Sequence, residues 1–481
     1  MREHDAPRPL NYSLLLLTVS LGGVLAPLNS TMLAVALPEL RNDFNVGHAE
    51  IAWLVSAYLI AMAVAQPLGG RLGDQLGRAT VFRVGLVAFL VLSLACAAAP
   101  TFPLLILVRT GQALIGAAVI PNGMAMIRES LPADRLGRSG GITGSAISIS
   151  AAVGPLLGAV LLAFGSWRFL FLMNIPIVGL ALAFQFILAY PRTRERQKFS
   201  LDWFGAFAFA VLLLTVTVLL NALSGEQNRI LLIAAVVALP VFLALFVQRQ
   251  FSAPNPVVEW SLFRNRSYAG STLYIMLGNL VMYTTLLTVP FFIREVQDGS
   301  NGRAAFLLTA ISLPMIVLAP IAGRISDAAG RRPLVTAGSV LLVASSGALA
   351  LGIDKDSSFG FLALSLALLG LGMSISFGAA SAAAIESTSR EMAGTAAGTN
   401  SMMRYLGSII GAGILGAVLN TEGAVPDIGL FRLIFAVLVV MSIPAFLCSF
   451  LIHRFPPEID RPPAADTAEL IVSPSHAVRS P

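Results

Sequence analysis

From Tyr12 to Ile452 the chain alternates apolar runs with short polar turns. Each run is about 20 residues, the length at which an α-helix spans the hydrocarbon core of a bilayer. The pattern predicts roughly fourteen such helices, over residues 12–37, 51–72, 81–99, 104–127, 141–164, 169–190, 204–223, 230–247, 269–293, 305–325, 334–351, 359–377, 395–419 and 430–452. In lipid a helix satisfies its own backbone donors and acceptors, whereas an open sheet leaves an edge unpaired. The expected fold class is therefore an all-α membrane protein.

One polar turn is used twice. Gly70, Arg71, Asp74, Gly77 and Arg78 recur as Gly323, Arg324, Asp327, Gly330 and Arg331, each set lying between an apolar run that ends and another that begins. A turn repeated at matching places marks an internally duplicated chain, and in transporters the substrate site lies between such repeats. The copies are 253 positions apart, more than six helices with short loops occupy. The division expected is an N-terminal segment 1–11, a six-helix bundle 12–190, a linker 191–268 carrying two extra transmembrane helices, a second six-helix bundle 269–454, and a disordered tail 455–481 rich in Pro, Ala, Asp and Ser.

Composition agrees with a lipid-solvated chain: 481 residues, 56% hydrophobic, 12% charged, mean hydropathy +0.82. A net charge of +6 raises the alternative of a nucleic-acid partner, and the placement of the basic residues excludes it. About 22 of the Lys and Arg residues fall in the terminal segments and every second loop and about seven on the opposite side, the positive-inside asymmetry. It places both termini in the cytoplasm and the protein in the cell membrane. The first apolar run follows Arg2 and Arg8 without a convincing cleavage site, so it is expected to stay attached. Cys96 and Cys448 lie in apolar segments far apart and read as small buried hydrophobes; no metal spacing exists.

Five further stretches carry a resemblance. They are Leu28-Asn29-Ser30-Thr31-Met32 running on to Pro38, Trp53 and Tyr58 with Gln66-Pro67, Arg109-Thr110-Gly111-Gln112, Gly154-Pro155-Leu156-Leu157-Gly158, and Ser166-Trp167-Arg168 running on to Asn174 and Pro176. With the duplicated turn they resemble the major facilitator superfamily and, within it, the fourteen-span drug:proton antiporter branch, over Leu10 to about Arg454. The resemblance implies two six-helix bundles plus two central helices that work by alternating access. It makes the charged turns, Gly70, Asp74, Gly77 and Arg78 with Gly323, Asp327, Gly330 and Arg331, a latch between alternating states. Gly154, Pro155 and Gly158 become the antiporter motif of the fifth helix, where small residues also let another helix come close.

The candidate cavity residues are Asn29, Gln66, Arg109, Gln112, Asn279, Tyr283, Asn400 and Arg404, all polar groups inside apolar runs. Arg109 is the sharpest, because an unpaired guanidinium at membrane depth is costly and faces a cavity or a partner. Arg404 either lines the cavity or snorkels; the amides serve equally as ligand contacts or interhelical glue. Asn29 stands where proton-coupled relatives have aspartate, and an amide carries no proton. The expected function is efflux of hydrophobic or amphipathic small molecules; the alternative is export or uniport of one metabolite, anion or lipid without proton coupling. No phosphate loop for ATP and no nucleophile-base pair or metal cluster at membrane depth is visible, so the protein reads as a non-enzyme without cofactor, driven by the proton gradient if by any. A small-molecule substrate, the lipid bilayer and a monomeric state complete the expectation.

Overall fold

The computed structural model describes residues 11–131, 133–188, 202–222, 229–253, 256–388, 392–419 and 427–455, with a few side chains inside helices, Asp74 among them, left outside the description. Most of the expected N-terminal segment, parts of the linker and the tail beyond 455 lie outside the described residues. Sixteen α-helices follow one another: α1 Tyr12–Phe44, α2 His48–Leu76, α3 Arg78–Ala97, α4 Phe102–Gly116, α5 Val119–Ser130, α6 Ala133–Leu162, α7 Arg168–Leu172, α8 Asn174–Ile187, α9 Trp203–Ala222, α10 Arg229–Ser252, α11 Arg266–Phe291, α12 Asn301–Ala329, α13 Arg331–Gly352, α14 Phe359–Glu386, α15 Ala393–Leu419 and α16 Ile428–Ser449.

Among the described residues, 12 helices are long and apolar enough to cross a membrane. The pairs α4–α5 and α7–α8 each act as one span, broken at Ala117 and Met173. The expected fifth and seventh spans fall in α6 and α9, whose apolar stretches, Ile149–Leu162 and Trp203–Leu219, are shorter. Helix ends are set by short polar side chains. The amide oxygen of Asn11 accepts the Leu14 N–H at 3.1 Å, and Asn265, Ser300 and Ser358 cap α11, α12 and α14 in the same way.

The repeat is visible in backbone angles. Gly77 and Gly330 close α2 and α12 at φ of 92° and 94°, a region open to glycine alone at low cost, and each begins the next helix at once. Asn45 and Asp298 are the two non-glycine residues with positive φ among the described residues, separated by the same 253 positions as the glycines. Both duplicated turns lie on one face. Arg71 donates to the Pro256 carbonyl at 2.9 Å just before α11, while the Arg331 N–H donates to the Arg454 carbonyl at 2.7 Å just after α16. We call this the terminal face and the opposite one the far face.

Within each half a long helix lies flush on the first. A Cβ on Gly158 of α6 would stand 2.7 Å from the Met32 carbonyl oxygen of α1, and one on Gly154 would collide with Thr31. The equivalent residues, 253 positions on, do the same: Gly411 of α15 leaves 3.0 Å to the Leu280 carbonyl of α11, and a Cβ on Gly407 would collide with the Met276 carbonyl. Small residues are what permit helix backbones to approach so closely in lipid, where dispersion rather than water exclusion holds helices together. Between halves, α2 packs on α15 and α6 on α12, an exchange of roles under the repeat, while α9 packs on α2, α15 and α10.

The packing is lopsided across the membrane. One hydrophobic core joins both halves, with Met32 and Val35 of α1 and Tyr58 of α2 in the same cluster as Leu287 and Phe291 of α11 and Ile409 of α15 toward the far face, and it continues through Phe209 of α9 and Phe246 of α10 to Val257 and Val258 just before α11. Toward the terminal face the cores separate: Val19, Phe82, Phe89 and Met126 in the first half, Tyr274, Val335, Ala380 and Ala445 in the second. Direct apolar packing of one bundle on the other is concentrated toward the far side, and on the terminal side each bundle keeps a core of its own. Replacing Gly407 by Leu is expected to cost about 1 to 3 kcal/mol, because the obstruction is backbone and cannot swing away. A lowered thermal midpoint of the detergent-purified protein checks this; an unchanged midpoint means that α15 does not rest on α11 as described.

Candidate functional site

At the depth where the common core begins, polar side chains link four helices of the first half. The Asn29 amide of α1 faces the Asn174 amide of α8 in a reciprocal pair, at 2.5 Å in one direction and 3.1 Å in the other. Asn29 also donates to the Leu25 carbonyl at 3.1 Å, so both its polar atoms are committed. Asn174 passes the chain to Ser93 of α3 at 3.0 Å, and Gln112 of α4 donates to the same hydroxyl at 2.7 Å. Buried amides held this way satisfy one another where lipid offers nothing. Gln112 is thus a tether between α3 and α4.

Arg109 sits beside this chain and is 1% exposed. Its Nη2 donates to the Asn29 carbonyl at 3.3 Å, a long bond, and its Nε and Nη1 have no protein partner. The guanidinium lies 4.4 Å from the Tyr58 ring centroid and 5.5 Å from that of Phe171. Stacking over a ring favours the cation by about 2 kcal/mol when desolvated, and it leaves the N–H groups at the edge of the plane free. Asp202 is the one buried acid among the described residues, and it is bonded to Arg249 at 2.8 Å, joining the start of α9 to α10. The centre holds a cation without its counter-charge.

The second half contributes from α11 and α15. The Tyr283 hydroxyl meets the Ser30 hydroxyl at 2.6 Å, and these two residues are 253 apart, so the repeat axis passes between them. Asn279, one turn away, donates to the Arg404 carbonyl at 2.9 Å and to Ser408. It is glue between α11 and α15. Arg404 is partly buried, with its Nε unpartnered and its guanidinium 5.8 Å from the Phe377 ring centroid. Tyr58, Tyr283 and Tyr405 lie within electrostatic reach of one another and of the two arginines. Gln66 and Asn400 are buried with unpartnered amide atoms, apart from the chain of bonds just described. Of the expected cavity residues the structure therefore joins Asn29, Arg109, Gln112 and Tyr283, and pairs Asn279 with Arg404.

Beyond the site, Arg41 at the end of α1 meets Glu295 after α11 at 2.6 Å, an ion pair across the halves at the far face. Asp43 accepts from the Trp167 indole at 2.8 Å alongside it. On the terminal face Arg78 bonds Glu129 at 2.5 Å, and Arg331 bonds Asp327 at 2.5 Å and Glu386 at 2.7 Å. These pairs join helices of the same half; the Asp74 side chain lies outside the described residues. A Cβ on Gly70 would make only ordinary contact, and one on Gly323 would meet nothing, so neither is wedged against a neighbour here. Close approaches fall at Gly69, against Ala118 just before α5, at Gly73, against Asn122 of α5, and at Gly330, against the Arg454 carbonyl.

The Major Facilitator Superfamily profile matches residues 19–412 and, in a second overlapping match, 273–481. The MFS-type transporter YvkA of Bacillus subtilis (strain 168), itself uncharacterized, is 31% identical over 427 residues, covering 89% of this chain and 94% of that protein. The chain belongs to the Major Facilitator Superfamily. Multidrug resistance protein 3 of the same organism is 28% identical over 83% of this chain and 78% of its own length. The crystal structure of a D-xylose-proton symporter superposes with a TM-score of 0.65 at 14% identity, covering 92% of this chain and 98% of that one, a likeness of fold.

In this superfamily member the sequence pattern passed over Asn174, Ser93 and Ser30 as site residues, and Glu129 and Glu386 as partners of the turn arginines. The signal available was the constant offset: carried from the turns to Ser30 and Tyr283 or to Gly154 and Gly407, it finds each counterpart. A double-mutant cycle with Asn29→Ala and Asn174→Ala is expected to give a coupling of about 0.6 to 1.7 kcal/mol in thermal unfolding. Strict additivity is the outcome that removes the reciprocal amide pair.

Proposed function

We propose that this transporter exports hydrophobic or amphipathic small molecules by alternating access, as a monomer in the cell membrane with both termini cytoplasmic. The observation that carries the reading is the lopsided packing, one shared core with an ion pair at the far face and separate cores at the terminal face. It corresponds to a carrier whose binding centre faces the cytoplasm. The reverse state closes the terminal face, and Gly70 and Gly323, neither of them tightly covered here, are the surfaces on which helices of the other half then come to rest. The paired turn charges exchange partners in the same movement and act as the latch. Counted by apolar runs, including the stretches in α6 and α9, the chain has fourteen spans, in keeping with the antiporter branch that the motifs resemble. The likeness to multidrug resistance protein 3 supports drug-like substrates.

A second reading, export of one metabolite, anion or lipid without proton coupling, is favoured by Asn29. Its amide is bonded to Asn174 and replaces the acid through which relatives cycle a proton. Accumulation of dyes, antibiotics and organic acids in cells with and without the protein, repeated in proteoliposomes with the proton gradient imposed or collapsed, separates the readings. Transport that ignores the gradient, and gains a pH dependence in Asn29→Asp, supports the second.

Alternating access itself is tested at the far face. In a protein lacking Cys96 and Cys448, cysteines replacing Arg41 and Glu295 and joined by a reducible bifunctional reagent are expected to abolish most transport and restore it on reduction. Full transport while joined means that the far face need not open, and the proposal fails.

A further inference from the structure

We propose that the central site takes an anion, an amphipathic molecule whose carboxylate, sulfonate or phosphate head is received by Arg109 after passing Arg404. The inference rests on the transporter reading above and names its substrate class. Three observations meet here. Arg109 is a fully buried cation with two unpartnered nitrogens and one long bond to a carbonyl. Tyr58 holds the guanidinium 4.4 Å from its ring centroid while Nε and Nη1 stay unpartnered, which leaves donors for the bidentate binding of an oxyanion. Residue 29, whose backbone carbonyl meets Arg109, carries an amide and no negative charge, and its side-chain atoms are spent on Asn174 and Leu25.

The second half repeats the charge. Arg404 lies nearer the terminal face, since α15 starts there, and it too has a buried unpartnered Nε beside an aromatic ring. Two guanidinium groups on one route, with no buried acid among the described residues of the centre, attract an anionic head and repel an ammonium. The aromatic side chains next to the two arginines, Phe171 beside Arg109 and Phe377 beside Arg404, are those against which the apolar body of the ligand would lie once the centre opens. A charge buried without a partner is otherwise a standing cost, and a ligand that supplies the partner recovers it on binding.

The test uses the full-length protein in detergent with three probes on one skeleton: anthracene-9-carboxylate, anthracene-9-carboxamide and 9-(aminomethyl)anthracene. Fluorescence binding and thermal stabilisation are read for the wild type, Arg109→Gln, Arg404→Gln and Asn29→Asp. Expected is a preference of the wild type for the carboxylate over the amide of at least about tenfold, with the ammonium weakest. In Arg109→Gln and in Asn29→Asp, which supplies an internal counter-charge and spares the arginine, the carboxylate falls to the level of the amide while amide binding holds. Arg404→Gln weakens the carboxylate alone, by a smaller factor. The inference is overturned by equal binding of amide and carboxylate in the wild type, by preference for the ammonium, by binding of none of the three, or by variants that weaken carboxylate and amide alike. Chloride or inorganic phosphate stabilising the protein while the carboxylate adds nothing assigns the site to inorganic ions and also overturns it. Carboxylate bound tightly yet never moved across a vesicle membrane removes the transporter reading and leaves this inference standing.

Discussion

Backbone-to-backbone contact between α1 and α6, and again between α11 and α15, is what the rest of the molecule hangs on. In lipid no water is squeezed out when helices meet, so the attraction between them is dispersion, which falls away within fractions of an ångström. Gly154 and Gly158, and Gly407 and Gly411, remove the side chains that would hold these pairs apart. Each half thereby becomes a stiff body with its own small core. Stiffness inside the halves is what allows the boundary between them to move as a unit, since a packed interior switches between arrangements and does not stretch.

The same economy governs the polar groups. Asn29, Asn174, Ser93 and Gln112 come from four different helices, yet each finds a partner, and the chain of bonds runs through the first half alone. Among the described residues, the crossings between halves include a hydroxyl pair on the repeat axis and an ion pair at the far face. Strong polar bonding within a half and sparse bonding between halves is the distribution a rocking carrier requires. The inserted pair α9 and α10 follows the rule as well: its own ion pair and the stacked rings of Phe209 and Phe246 hold it together, while α10 rests on α9 and otherwise faces lipid.

Hydropathy located the 12 long apolar helices because solvent sets the length of an apolar run, and the two further runs it predicts fall on shorter apolar stretches in α6 and α9. It could not see the break at Ala117, since small apolar residues on both sides look continuous; Gly69 of α2 lies against Ala118 there. Among candidate residues, Arg109 was legible because a cation at membrane depth is rare. The amides were ambiguous for a physical reason: Gln112 and Asn279 carry the same groups whether they meet a ligand or a hydroxyl on the next helix, and only the position of Ser93 and Ser408 decides. Repetition in sequence does not report crowding: Gly70 and Gly323 stand clear of close contacts in this state, whereas Gly69, Gly73 and Gly330 are crowded.

Arg109 has one more consequence. A potential of 100 mV acts on an elementary charge crossing the bilayer with about 2.3 kcal/mol, and a guanidinium fixed near the middle feels part of that field as the protein rearranges. Were an anionic head seated on it, the loaded carrier would move no net charge at that point, whereas the vacant carrier would move one. Voltage would then act on the return of the empty protein and not on the passage of its cargo. If the terminal face lies in the cytoplasm, as proposed, an inside-negative potential would favour the vacant carrier with its binding centre turned inward.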